Sequence, residues 1–179
     1  MLPTTHIQTP LGTMIAAASE KGICMLDFVD CKHSALKLRT LSETFKAPLE
    51  QGSSPYFAVL RLQLQQYFNG ERRCFDIPLD FAGTEFQKQV WNILLQIPYG
   101  TTISYAEQAA LLGKPSAVRA VASANGKNKI SIVVPCHRVI GANGALTGYD
   151  GGVWRKEWLL ELEKSPTKSP LKRDLTKWR

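Results

Sequence analysis

The sequence predicts an α+β protein, in which a small N-terminal α/β domain with a hairpin-based sheet precedes a mainly helical, winged-helix-like domain. Three observations predict this fold. Turn residues separate short apolar strands near the N-terminus, two helix-capping boxes lie in the second half, and two short helices flank a Gly/Pro turn. We expect the first domain at 1–80, the second at 84–163, and a basic, disordered tail at 164–179.

The N-terminal domain begins with a predicted hairpin over 6–29. Turn signals at 10–12 and 20–22 border the apolar runs 14–18 and 23–29. Short apolar runs between turns of this kind are typical of strands in an antiparallel sheet.

Two helices and another strand follow in this domain. Leucine and phenylalanine at helical spacing predict a helix over 34–45. Ser54 and Pro55 predict the start of a second helix, with serine as the cap and proline at the first position, and Asn69 predicts its end. A strand is predicted over 73–79. No catalytic motif is evident in this domain.

Two capping boxes mark helix starts in the second domain. Thr84 and Gln87 form the first box, and Ser104 and Glu107 form the second. Ser116 is the predicted cap of a third helix, which follows the second across a tight Gly/Pro turn. Such a pair predicts a helix-turn-helix whose second member is the recognition helix, although any helical hairpin has a similar pattern.

The predicted recognition helix has one long cation among small side chains on its outward face. Arg119 lies there with Ala120 and Ser123, opposite an apolar face. One interpretation is a surface arginine on an alanine-rich helix. The other is a helix slim enough to enter a groove of DNA, with the arginine probing the base stack.

A thiol and an imidazole are adjacent at Cys136 and His137, after the apolar run 130–134. Cysteine attacks as the thiolate, and its ordinary pKa of about 8.5 leaves little thiolate at neutral pH, so a base is required. Adjacent side chains on an extended strand point to opposite faces. His137 therefore reaches Cys136 only if the chain turns at Pro135 or if a water bridges the two. A buried structural cysteine is the alternative.

A carboxylate falls on the apolar face of the last predicted helix, 154–163. At about 100° per residue, Glu163 lies close to Leu159 within that face. A buried carboxylate needs a partner, and His137 is the candidate, because a carboxylate can orient an imidazole that acts as a base. The alternative is a frayed helix end with Glu163 in solvent.

Composition excludes several classes of protein. The chain has 44% hydrophobic residues, and no apolar run approaches the ~20 residues that span a bilayer. Its four cysteines do not form a disulfide framework, so we expect a cytoplasmic protein. The net charge is +7, but the tail at 164–179 carries most of it. Cys24, Cys31, His33 and His6 match no zinc spacing, so we expect no metal.

The motifs of the second half together resemble the O6-alkylguanine-DNA alkyltransferases, also called methylated-DNA–protein-cysteine methyltransferases. The resemblance runs from about 86 to 163 and is specific in its order and spacing. We find no cysteine-rich regulatory domain, so the chain resembles the constitutive members. The motifs are Ile103-Ser104-Tyr105, Arg119-Ala120-Val121, Asn128, the PCHRVIG heptapeptide that starts at Pro135, Gly148-Tyr149, and Lys156-Glu157-Trp158-Leu159-Leu160 followed by Glu163.

The resemblance implies direct DNA repair by irreversible, stoichiometric transfer of an alkyl group to Cys136 from O6-alkylguanine, and from O4-alkylthymine, in double-stranded DNA. The family flips the base from the minor groove, where Arg119 fills the gap in the stack and Ala120, Ser123 and Ala124 contact the DNA. No cofactor is implied. We expect a monomer that clusters on DNA.

The resemblance also assigns roles in the reaction. Cys136 is the acceptor, His137 is the base that acts through a bound water, and Glu163 orients the histidine. Asn128 ties the recognition helix to the active-site loop, and Tyr105 donates a hydrogen bond to the base. The implied alkylguanine pocket consists of Tyr105, Val139, Gly148, Tyr149, Asp150 and Lys156.

Two residues depart from the family pattern. Lys129 stands where proline is expected, which predicts a less rigid loop. Asp150 stands where serine or another residue occurs, and its carboxylate is expected to repel DNA or to change the size of alkyl group that fits.

Two other functions compete with this interpretation. A cysteine hydrolase would need an oxyanion hole and a distant histidine, for which the chain offers only His6 and His33. A noncatalytic helix-turn-helix binder predicts a basic recognition helix and leaves Cys136, His137 and Glu163 unexplained.

Overall fold

Four strands form the sheet of the N-terminal domain in the computed structural model, which describes residues 1–164. β1 (Leu2–Thr9), β2 (Gly12–Ala18) and β3 (Ile23–Phe28) form an antiparallel meander, so the predicted hairpin is present and β1 begins ahead of it. β4 (Leu49–Gln51) adds to β1 in parallel and was not predicted from the sequence. The tail predicted over 164–179 lies, beyond Lys164, outside the described residues.

Both predicted helices of this domain are present, as α1 (Ser34–Phe45) and α2 (Pro55–Phe68), and Ser54 caps α2 through the backbone N–H of Tyr56. The strand predicted over 73–79 is wrong. In this segment only Leu79 forms a bridge to β3, and the residues before it pair with no strand within 1–164.

Alternation along the strands divides the core between the two faces of the sheet. On β2, Met14 and Ala16 point toward α2 and the second domain, whereas Ala17 points toward α1. Leu60 of α2 and Leu41 of α1 are fully buried on these two faces. Successive side chains of a strand point to opposite sides, so a sheet covered on both faces needs such a continuous apolar run.

The second domain is built from α3 (Glu85–Leu95), α4 (Tyr105–Leu111), α5 (Val118–Gly126) and α6 (Val153–Lys164). Both predicted capping boxes are present, with reciprocal side-chain and backbone hydrogen bonds at the starts of α3 and α4. The predicted α+β fold class is therefore confirmed. No helix within 1–164 is both long and apolar enough to cross a membrane.

The helix-turn-helix consists of α4 and α5. The prediction that Ser116 caps α5 is wrong. Ser116 lies inside a 3₁₀ turn, Pro115–Ala117, and Ala117 precedes the helix without a side-chain cap. Beside this unit, β5 (Ile103–Ser104) and β6 (Val139–Ile140) form a short parallel pair. This pair joins the start of α4 to the end of the PCHRVIG segment.

Backbone hydrogen bonds join the two domains close to the candidate site. The amide of Leu26 on β3 donates to the carbonyl of Lys129 at 2.8 Å, and the amide of Ser131 donates to the carbonyl of Leu26 at 2.7 Å. The segment that leads to Cys136 is thus attached to the edge strand of the first domain.

Candidate active site

A single 3₁₀ turn, Cys136–Arg138, carries the thiol and the imidazole. The apolar run 130–134 before it is not a strand but a series of turns in which Ile132 has a φ of 72°. Because the chain turns here, Cys136 and His137 are not forced to opposite faces, as they would be on an extended strand. Cys136 is half-buried and His137 is fully buried.

Asn128 braces the segment before this turn. Its Nδ2 donates to the carbonyl of Val134 at 2.9 Å and to the Sγ of Cys136 at 3.3 Å, and its Oδ1 accepts from the amide of Ile130 at 2.9 Å. Asn128 follows closely on the end of α5, so one side chain connects this helix to the thiol. A donor aimed at sulfur favours the thiolate over the thiol.

Glu163 is buried, and it accepts five hydrogen bonds. Its Oε1 lies 2.7 Å from the Tyr67 hydroxyl, 2.8 Å from Nε2 of His137 and 3.0 Å from Nη2 of Arg138. Its Oε2 accepts from Nε of Arg138 at 2.9 Å and from the amide of Gly100 at 3.1 Å. The predicted pairing with His137 is present, and the alternative of a solvated Glu163 is excluded.

The charge states within this cluster follow from its surroundings. Burial alone would raise the pKa of Glu163, but His137 and Arg138 hold it well below its usual range, so the carboxylate is ionised. Burial lowers the pKa of His137 despite the nearby carboxylate, so the imidazole is neutral. An ionised carboxylate only accepts, which assigns the ring proton to Nε2 and leaves a lone pair on Nδ1.

The thiol of Cys136 is protonated in this environment. Burial raises its pKa, and the hydrogen bond from Asn128 and the positive charges of Lys37 and Lys156 only partly offset that effect. Attack by sulfur therefore needs a base that accepts the proton. His137 is the next residue in the chain, and its Nδ1 has a lone pair that no other group within 1–164 uses.

Four of the predicted pocket residues come together around the carbonyl of Thr147. The Tyr105 hydroxyl donates to this oxygen at 3.1 Å, and Nζ of Lys156 donates to it at 2.8 Å and to the carbonyl of Val139 at 2.5 Å. Gly148 has a φ of +64°, and a Cβ there would lie 3.3 Å from the Tyr105 hydroxyl. A side chain at 148 would thus be strained and would crowd the tyrosine.

The other two pocket residues turn toward the first domain. Tyr149 is buried in the main core. The carboxylate of Asp150 is hydrogen-bonded to Nδ1 of His33 at 2.5 Å and forms an ion pair with Nζ of Lys37 at 2.8 Å. The charge that was expected to repel DNA is therefore paired within the protein.

The exposed face of α5 presents Arg119, Ala120 and Ser123, as the sequence predicted. Ala124 was placed with them, and that placement is wrong: Ala124 is 3% exposed and belongs to the core. Nε1 of Trp91 on α3 donates to its carbonyl at 2.9 Å, so α3 covers this side of the helix.

Lys129 is buried at the junction between the domains. Its Nζ donates to the carbonyl of Ala82 at 2.8 Å and lies 5.6 Å from the centre of the Trp91 ring. Burial lowers its pKa to about 8. The lysine that replaces the expected proline is thus fixed by its own side chain.

Two of the residues considered as metal ligands, Cys31 and His33, have other partners in the protein. Within 1–164, the potential ligands that lie within 4.8 Å of one another are Asp27, Cys31 and Asp150. Nζ of Lys37 lies 2.6 Å from Asp27, and the Cys31 thiol donates to Asp27 at 3.3 Å. With His33 paired to Asp150, a lysine ammonium supplies the positive charge of this group.

Three residues of the site were not found from the sequence: Tyr67, Arg138 and Lys37. Arg138 follows His137 directly, so its position was a signal that could have been used. Tyr67 and Lys37 had none, because each meets a residue of the second domain about one hundred positions away in the sequence.

Comparison with known proteins accounts for almost the whole described chain. Residues 3–81 match the family model "6-O-methylguanine DNA methyltransferase, ribonuclease-like domain", and residues 85–165 match its DNA binding domain. A methylated-DNA–protein-cysteine methyltransferase of Methanosarcina barkeri is 42% identical over 160 residues, covering 89% of this chain and 95% of the relative. The constitutive enzyme of Bacillus subtilis is 46% identical over 166 residues, covering 89% and 94%.

A solved structure gives the same result. The OGT of Mycobacterium tuberculosis, determined in complex with DNA, is 43% identical, covers 94% of this chain and 96% of its own, and has a TM-score of 0.79. The chain therefore belongs to the 6-O-methylguanine DNA methyltransferase family, as a DNA-binding methylated-DNA–protein-cysteine methyltransferase that repairs alkylated DNA.

Proposed function

We propose that the protein removes alkyl groups from O6-alkylguanine, and from O4-alkylthymine, in double-stranded DNA by transferring them irreversibly to Cys136. One observation carries the assignment of the acceptor. Cys136 receives a hydrogen bond from Asn128 and precedes an imidazole that an ionised, buried Glu163 orients. Cys24 and Cys31, by contrast, are buried beside carboxylates, which together with burial raises the pKa of both thiols, that of Cys24 to about 12.

The proton leaves the thiol before carbon is transferred. Nδ1 of His137 accepts it through a bridging water, and the resulting imidazolium is stabilised by Glu163 at 2.8 Å. The thiolate, with Asn128 donating to it, then attacks the alkyl carbon. The S–C bond forms as the C–O6 bond breaks, and the electron pair of that bond passes to the guanine.

The guanine leaves as an anion unless it receives a proton. In this structure the Tyr105 hydroxyl donates to the carbonyl of Thr147; in the proposed reaction it turns its single proton to the flipped base and so stabilises this charge. Lys156 holds the same carbonyl and that of Val139, so it fixes both walls of the pocket. A thioether is a poor leaving group, and the proposal includes no cofactor that regenerates the thiol. Each molecule therefore reacts once.

The exposed face of α5 is the proposed contact with DNA. The minor groove is only about 6 Å wide, which suits the small side chains of Ala120 and Ser123. Arg119 enters the base stack and offsets part of the cost of flipping the damaged base. We propose that the protein acts in the cytoplasm as a monomer that clusters on DNA.

Intact-protein mass spectrometry tests the reaction. The protein is mixed with a duplex oligonucleotide that carries one O6-methylguanine, and peptide mapping follows. We expect a gain of one methyl group on Cys136 that saturates at one per protein. Cys136→Ser should gain none while its affinity for the duplex is retained. A folded protein that gains no methyl group would overturn the proposal and favour the noncatalytic DNA binder, and repeated turnover would favour a hydrolase.

A pair of α5 variants tests the role of Arg119. Arg119→Ala should slow repair in duplex DNA by about tenfold or more, because unstacking a base costs a few kcal/mol that the arginine offsets. Its reaction with the free base O6-methylguanine should not change. Lys127→Ala removes the same charge from the end of α5 and should affect the duplex reaction less. Equal slowing of the duplex and free-base reactions by Arg119→Ala would exclude the proposed role.

A further inference from the structure

The loop 148–152 is attached to the protein on two sides. On the side of the second domain, Tyr105 and Lys156 hold the carbonyl of Thr147 just before it. On the side of the first domain, Lys37 and His33 pair with Asp150 in its middle. The loop thus spans the boundary between the domains at the pocket of the proposed function.

Asp27 anchors the attachment in the first domain. It lies on β3 and is fully buried, and its Oδ2 is 2.6 Å from Nζ of Lys37. Its Oδ1 accepts from the Ser131 hydroxyl at 2.9 Å and from the amide of Phe28 at 3.0 Å. Ser131 belongs to the segment that leads to Cys136. One buried carboxylate therefore connects β3, that segment and, through Lys37, the loop.

The pair between Lys37 and Asp150 lies largely out of solvent. The side chain of Lys37 is 7% exposed and that of Asp150 is 12% exposed, so water screens their attraction only weakly. His33 is different, because its side chain is 51% exposed. Lys37 is thus the partner that can fix the position of the loop.

Tight packing within the loop couples the position of Asp150 to that of the pocket residues Tyr149 and Gly148. A Cβ at Gly151 would lie 2.9 Å from the ring of Tyr149 and 3.1 Å from the ring of Phe28, so the loop lies directly against both aromatic residues. Nη1 of Arg155 donates to the carbonyl of Gly151 at 2.8 Å. A shift at Asp150 would therefore move Tyr149 and Gly148, next to Tyr105.

We propose that Lys37 and Asp150 are positioning residues that couple the first domain to the reaction, because their ion pair sets the position of the loop 148–152 and thereby the size of alkyl group that the pocket accepts. The inference rests on the proposed function. It gives the N-terminal domain, in which the sequence shows no catalytic motif, a part in substrate selection.

Asp150→Asn tests this proposal, because it removes the charge without changing the size of the side chain and leaves Lys37 paired with Asp27. Second-order rate constants are measured with the free bases O6-methylguanine and O6-benzylguanine, so that DNA binding does not contribute. Glu71→Gln is the matched control, since it removes the same charge from an exposed position. Hydrogen exchange of the 148–152 amides reports the loop directly.

We expect Asp150→Asn to raise the benzyl-to-methyl ratio of rate constants by about tenfold, within the ~100-fold effect of a 1 Å misplacement, and to speed exchange in the loop. Asp150→Glu, which can reach Lys37 again, should restore the ratio, and Glu71→Gln should not change it. A ratio that stays within about twofold of the wild type, or equal slowing with both bases, would overturn the inference. A wild-type protein that reacts with neither base would instead overturn the proposed function.

Discussion

Two carboxylates of the second domain meet donors from the first domain, but they do so in different ways. Glu163 accepts one hydrogen bond from the Tyr67 hydroxyl of the first domain. It accepts four more from His137, Arg138 and Gly100 of its own domain. Asp150 is paired with Lys37 and His33, which both belong to the first domain.

The difference separates a fixed part of the site from an adjustable part. Four of the five hydrogen bonds to Glu163 would survive a small movement between the domains, so the orientation of His137 is set within the second domain. Asp150 would lose both of these contacts in the same movement. We infer that His137, the proposed proton acceptor, is held rigidly, whereas the position of the loop 148–152 depends on the relative position of the two domains.

Removal of the charge on Glu163 should have the largest effect. Glu163→Gln places an amide N–H against Arg138 or against the Tyr67 and His137 donors, and it leaves a buried guanidinium without its carboxylate. We expect the unfolding free energy to fall by about 3 kcal/mol, the cost of breaking a buried ion pair. The methyl-transfer rate should fall about 100-fold or more, as when a general base is lost.

The effect of Glu163→Gln on stability should also depend on pH. The pKa of Glu163 in the folded protein is lowered from its ordinary 4.5, so its ionised form stabilises the fold above that pH, and the contribution is lost as the pH falls below it. The difference from the wild type, measured by urea denaturation, should be largest at pH 7 and shrink toward pH 3. The matched control is Glu161→Gln on the exposed side of α6. A constant difference across this range would contradict the ionised state of Glu163.

Tyr67→Phe should have a smaller effect, because it removes one donor of five. We expect a loss of about 2 kcal/mol, typical of a hydrogen bond to a charged group, and a fall in rate on the order of tenfold. With less of its charge shared with the tyrosine, Glu163 should hold a proton on His137 more strongly. The acid limb of the pH–rate profile should therefore move to higher pH.

Tyr56→Phe provides the comparison for this variant, since its hydroxyl donates to the carbonyl of Glu20 at an exposed position. It should change neither the rate nor the pH profile. If Tyr67→Phe lowers stability but leaves the acid limb unmoved, the tyrosine acts on folding and not on His137.

Local patterns predicted much of the fold and the centre of the site. The two capping boxes, the helix-turn-helix and the burial of Glu163 each depend on residues a few positions apart, so spacing alone reveals them. The strand expected over 73–79 failed because strand formation depends on a neighbouring strand with which to pair, and β4 was missed for the same reason.

Contacts between the domains could not be predicted from the sequence. The local pattern indicates a core aromatic residue of α2 at Tyr67 and a solvated position of α1 at Lys37. Neither pattern shows which residue of the second domain the side chain contacts. Asp150 was recognised as a departure from the family, but the expected repulsion of DNA could not be corrected until the structure showed its lysine partner. Ala124, which the family resemblance had placed at the DNA contact, was misplaced because α3 covers that side of α5.

Substitution of His33 should have the smallest effect, and it separates the two partners of Asp150. His33→Asn removes an exposed partner and leaves the buried pair between Lys37 and Asp150 in place, so stability should change by no more than about 0.5 kcal/mol, as for surface substitutions. The benzyl-to-methyl ratio should stay within about twofold of the wild type, because removing one contact with an exposed, solvent-screened side chain costs little. If His33→Asn raised this ratio as much as Asp150→Asn does, His33 and not Lys37 would be the residue that positions the loop, which would contradict the proposal. An unchanged ratio would leave the buried lysine as the residue through which the first domain holds the loop.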